Sequence, residues 1–97
     1  MPNNTSDFNR CIKDDLMNIR GEINRKSRHF DLPLEDESED LLDAYYRKVS
    51  SSNTFQSDET DVRVISRMKE SIRDAKDRDG FSAELRSLLG FITSKLS

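Results

Sequence analysis

The sequence predicts an all-α fold, a small three- or four-helix bundle forming a single domain over residues 1–97. Three observations support this. The 97 residues include only two prolines, Pro2 and Pro33, and three glycines, Gly21, Gly80 and Gly90, so helix breakers are sparse. No stretch alternates β-branched and polar residues as a half-buried strand would. Apolar residues instead recur at intervals of three and four, the period of one helical face.

The first helix is predicted over 6–29. Phe8, Ile12, Leu16, Ile19, Ile23 and Phe30 form its stripe, and Ser6 is placed to cap its first-turn amides. Arg25, Lys26, Arg28 and His29 cluster where the helix dipole favours cations. Residues 1–5 are expected to lack order. Gly21 is expected to mark a bend or the close approach of another helix. The stripe is narrow, as in a coiled-coil seam, so Phe8, Ile12 and Leu16 are candidate contacts with a second copy.

Asp31–Leu32–Pro33 ends that helix, and the second is predicted over 34–49. Leu34, Ser38, Leu41, Leu42, Tyr45 and Val49 form its inner face. Glu35, Asp36, Glu37, Glu39 and Asp40 crowd its start, in agreement with the dipole. Residues 50–57 read as a loop. The third helix is predicted over 58–78, capped by Ser57 or Asp58, lined by Val62, Ile65, Met68, Ile72 and Ala75, and stopped by Asp79–Gly80 with Gly80 left-handed. The last is predicted over 83–95, capped by Ser82. Phe81, Leu85, Leu88, Leu89, Ile92 and Leu96 share its face, and the short turn before it implies an antiparallel hairpin with the third.

Composition narrows the function classes. Apolar residues make up 33% of the chain and charged residues 36%, a leaner core than the roughly 45–50% apolar of an average domain. That leanness is the reason to expect a homodimer. Net charge is −3, but residues 31–61 are strongly acidic and both flanks mildly basic. A bulk electrostatic nucleic-acid binder is usually basic overall. No segment approaches the roughly 20 apolar residues of a membrane span. The start MPNNTSDFN lacks a basic region and an apolar core, so no secretory signal is read and cytoplasmic residence is the expectation.

No phosphate-binding loop, paired-cysteine motif or nucleophile elbow occurs. His29 and Cys11 are single, which argues against zinc ligation and Cys–His catalysis. His29 reads as a solvated residue and Cys11 as a small buried hydrophobe. The acidic run lacks the central glycine of a calcium loop. No catalytic residue, metal or cofactor is expected. Candidate protein-contact residues are Glu35, Glu37, Asp40 and Tyr46, with the Phe8, Ile12 and Leu16 stripe. Lys69, Arg73 and Lys76, on one edge of the third helix, are candidates for an acidic partner or phosphate.

Residues 34–49, LEDESEDLLDAYYRKV, resemble the opening of the core region in the YmgB/AriR family of small enterobacterial regulators. The match is the acidic Leu-Glu-x-Glu-Ser start followed by apolar positions at Leu41 and Ala44. VISRMKESI and ELRSLLGFI are similar in apolar spacing to that family's last two helices. The likeness covers about 60 residues; it departs in the longer 50–61 loop and in the long first helix. The resemblance implies an all-helical dimer that modulates signalling, biofilm or stress responses through protein contacts, with DNA contact as a further option. It implies no catalytic residues. The leading expectation is a non-enzymatic regulator or adaptor. A secretion chaperone or effector-type binder of a foreign protein, and a weak DNA-binding regulator, are the alternatives.

Overall fold

A computed structural model describes residues 4–51 and 55–97 of the chain. They form four helices: α1 Asn4–His29, α2 Asp36–Ser51, α3 Glu59–Asp74 and α4 Arg78–Leu96. The fold class is the one predicted; several boundaries differ. α1 starts at Asn4, ahead of Ser6, so positions 4 and 5 are helical, while 1–3 lie outside the described residues. α2 starts at Asp36 and continues to Ser51, into the expected loop, of which 52–54 also lie outside the described residues.

α1 is held in the bundle by Ile12, Leu16, Ile19 and Ile23, all at most 1% exposed. Leu42, Tyr45 and Val49 meet them from α2, Ile65 and Ile72 from α3, and Phe81, Leu88 and Ile92 from α4. α1 packs on α2 and α3, and α4 likewise packs on α2 and α3. Arg20 reaches Asp43, and Leu34, just ahead of α2, lies by Ile23 and Asn24 late in α1, so these two helices are antiparallel. Lys69 on Asp15 and Lys26 on the Ala75 carbonyl fix α3 parallel to α1. Lys95 on Asp61 fixes α4 antiparallel to α3, the expected hairpin. The helices therefore form a ring ordered α1, α2, α4, α3, in which α1 and α3 run one way and α2 and α4 the other.

The end of α1 sets up everything at one pole of the bundle. Leu32 N–H donates to the Ser27 carbonyl at 2.9 Å, and Asp31 N–H to the Arg28 carbonyl at 3.3 Å. Asp31 has φ 51°. This is the paired closure of a Schellman motif, with aspartate in the left-handed position usually held by glycine. The reversal lays Leu32, Pro33 and Leu34 across the pole before α2 begins.

The α3–α4 junction corrects the sequence reading. α3 ends at Asp74, four residues early, where Ala75 turns extended (ψ 124°) and Lys26 Nζ donates to its carbonyl at 2.6 Å. Asp77, not Ser82, caps α4, its carboxylate accepting from Gly80 N–H at 2.6 Å. Gly80 lies in the first turn of α4 with no positive φ. Aspartate is among the strongest caps, and Asp77 outcompetes the stop signal of Asp79–Gly80. The close helix approach expected at Gly21 is corrected as well, since a Cβ there would meet nothing within 4 Å.

Candidate functional site

The candidate residues fall into three groups. Ile12 and Leu16 are 0% and 1% exposed in the core. They cannot also meet a second copy, and Phe8 beside them is half-buried. Ile12 and Leu16 are thus consumed inside one chain, which corrects their reading as interface residues, while Phe8 keeps part of its surface. Tyr46 is also half-buried and packs against the core.

The basic edge of α3 is corrected next. Lys69 donates to Asp15 Oδ1 at 2.8 Å across the α1–α3 contact, with both side chains largely buried. Lys76 lies in the turn after α3 and shares no helix edge with Lys69. Arg73 is exposed and bonded to its neighbour Asp74. Lys69 and Arg73 do line one pocket with Asn18 and Glu22, but Lys76 is off the helix, so the three do not share the predicted edge. Cys11, expected to be buried, is exposed.

The acidic group does form a surface. Glu35, Asp36, Glu37, Glu39 and Asp40 are all exposed, and none takes part in an ion pair among the described residues. The Glu35 carbonyl accepts from Ser38 and Glu39 N–H at 3.0 and 3.1 Å, opening α2, so the carboxylates ring a helix start that favours negative charge. Among the described residues no group of three or more His, Cys, Asp or Glu side chains is placed to hold a metal ion. Among them, too, no helix is long and apolar enough to cross a membrane.

Beside this acidic start lies a groove of about 250 Å³. Leu32, Leu34 and Glu35 form one wall; Leu85, Arg86 and Leu89 of α4 form the other. Sequence reasoning missed it. Its walls come from segments some fifty residues apart, and periodicity assigns Leu34, Leu85 and Leu89 to separate inner faces.

The opposite pole holds a buried polar knot, also missed. Asn9, Ser57 and Asp61 are 3–6% exposed. Asp58 and Asp61 form a reciprocal capping box, Asp61 N–H to Asp58 Oδ1 at 2.9 Å and Asp58 N–H to Asp61 Oδ2 at 3.2 Å. Lys95 donates to Asp61 at 2.7 Å and to the Gln56 carbonyl at 3.1 Å. Asn9 Nδ2 donates to the Phe55 carbonyl at 3.2 Å, and the Phe55 ring meets Tyr45 edge-on at 5.9 Å.

No family model, curated protein or solved structure matches this chain. The YmgB/AriR resemblance accordingly rests on the sequence segments quoted above.

Tyr45 is fully buried, and its hydroxyl has no hydrogen-bond partner among the described residues. Burial first, then the Asp61 and Asp58 carboxylates, push its pKa well above the ordinary value of 10.0. The folded chain thus holds this proton more tightly than the unfolded chain. The stability involved is complete below about pH 10 and is lost as pH rises through the folded value. Tyr45→Phe is expected to be neutral or mildly stabilising at pH 7, because it removes an unpaired buried hydroxyl. It is also expected to flatten the loss of stability above about pH 10. Urea unfolding on both sides of that pH checks this; parallel losses in the two proteins would contradict it.

Proposed function

We propose that this chain is a non-enzymatic regulator or adaptor that binds a partner protein through the acidic start of α2. The observation that carries the reading is the run of five exposed carboxylates with no ion-pair partner among the described residues, set against a groove lined by four leucines together with Glu35 and Arg86. Two other carboxylates, Asp15 and Asp61, are by contrast neutralised within the bundle by Lys69 and Lys95. Desolvated complementary charge across an interface gives partner choice and fast association. The exposed free thiol of Cys11 fits a reducing compartment, and we assign the chain to the cytoplasm.

Nucleic-acid binding has less support, since its candidate cations are internally paired or dispersed. A homodimer through Phe8, Ile12 and Leu16 also has less support, since Ile12 and Leu16 lie in the core. The secretion-chaperone alternative would use the same acidic face and differs only in the partner.

Retention of partners from the native host's lysate should be compared between the wild type and the Glu35→Lys, Glu37→Lys, Asp40→Lys variant. Partners held by the wild type and released by the variant are expected. Identical retained sets would defeat the proposal. Light scattering of the same samples is expected to give the 11.3 kDa of one chain; twice that mass would return self-association to first place.

A further inference from the structure

We propose that the groove between the α1–α2 connection and α4 docks a basic amphipathic segment of the partner, apolar side chains inward and lysine or arginine toward α2. This inference rests on the acidic face being the binding surface and adds what enters beside it. At about 250 Å³ the groove falls short of the roughly 300–1,000 Å³ of small-molecule pockets. It suits one or two apolar side chains of a helix laid in a groove. Leu32, Leu34, Leu85 and Leu89 are partly exposed along it while also packing on the core, so the floor is fixed before anything binds.

Charge decides the occupant. Glu35 lines the groove, and Glu37 and Asp40 continue outward on α2. Of the cations near the end of α1, Arg28 is exposed and two are already engaged. Lys26 is engaged with the Ala75 carbonyl on the α3 side, and Arg25 pairs with Glu22. Arg86 on the opposite wall is exposed, so it suits a carboxylate or free carbonyl of the segment and gives the groove a direction. A second copy stacked end to end is a poorer occupant. With its own net charge of −3, it is poorly matched to an acidic rim.

The test uses the full chain and three synthetic helical peptides. One carries leucines on one face and lysines beside them. The second replaces the lysines with glutamates, and the third replaces the leucines with serines. Fluorescence anisotropy at low salt is expected to show micromolar binding of the first and about tenfold or weaker binding of the others. Ser82→Phe, which fills the groove from its α4 wall, is expected to weaken the first peptide about tenfold, with its melting curve confirming the fold. No binding of the leucine–lysine peptide, or equal binding of the serine peptide, would overturn the groove. So would a dimer of the chain that Ser82→Phe dissociates, since the occupant would then be a second copy. Lysate partners lost on charge reversal but kept by Ser82→Phe would refute the groove and leave the acidic-face reading standing.

Discussion

Phe81→Ala is expected to cost about 3–5 kcal/mol, the usual range for emptying a buried aromatic site. Phe81 is 0% exposed and meets Phe30 at 5.9 Å. It joins the start of α4 to the residue that closes α1, at the pole where the groove is built. Its backbone N–H is held by the Asp77 carbonyl at 3.0 Å in the first turn of α4, so the side chain cannot easily be replaced by a neighbour sliding in. A chain of this length has about 5–15 kcal/mol of total stability at roughly 0.05–0.15 kcal/mol per residue. Its core is lean, and one aromatic is a large share of it. At about 4–8 °C per kcal/mol for a domain of this size, the melting temperature should fall by about 12–40 °C by circular dichroism. Phe81→Leu, which refills most of the volume, should lose much less. A drop below about 5 °C for the alanine variant would mean that the pole collapses around the gap, and that the groove beside it is less rigid than its packing implies.

What is legible in the sequence is whatever periodicity records. Ile12, Leu16, Ile19 and Ile23 lie inside as their spacing requires, and so do Ile65, Ile72, Leu88 and Ile92. The same spacing cannot say whether α1 packs on its own chain or on a copy, because a narrow stripe serves a bundle core and a coiled-coil seam alike. The α3–α4 boundary is misread where two signals compete locally, a capping Asp77 and a stopping Gly80. Side-chain partners distant in sequence leave no local trace. Lys69 reads as a free surface cation until Asp15, 54 positions away, meets it. The acidic run is visible as a charged face, yet the groove beside it requires Leu32 and Leu34 to be thrown across the pole by the left-handed turn at Asp31.

Lys95→Met should be the second large effect, about 2–3 kcal/mol, because it strands a carboxylate rather than merely deleting a surface bridge. The Asp61 side chain is only 9% exposed and Lys95 25%. With the ammonium gone, Asp61 keeps the Asp58 N–H at 3.2 Å as its remaining donor, and a buried charge left without its partner costs more than the pair contributes net. The pair is not fully buried, so the loss should fall below or at the lower end of the roughly 3–5 kcal/mol of an interior ion pair. Lys95 also holds the Gln56 carbonyl and lies over the Phe55 ring, 5.9 Å from its centroid. The same substitution therefore loosens the segment leading into α3. Asp61→Asn should cost less, since the amide oxygen can still accept from Asp58 N–H and the freed ammonium can turn to water. The double variant should then be more stable than the sum of the single losses by about 1–2 kcal/mol, because the introduced methionine side chain no longer faces a charge. Urea unfolding of the four proteins supplies the cycle. Strict additivity, or a loss under about 0.5 kcal/mol for Lys95→Met, would place the pair with exposed bridges that contribute little. Hydrogen exchange would separate the two consequences. A stranded charge lowers protection throughout the cooperative core, whereas loss of the Phe55 and Gln56 contacts lowers it first in the opening turn of α3.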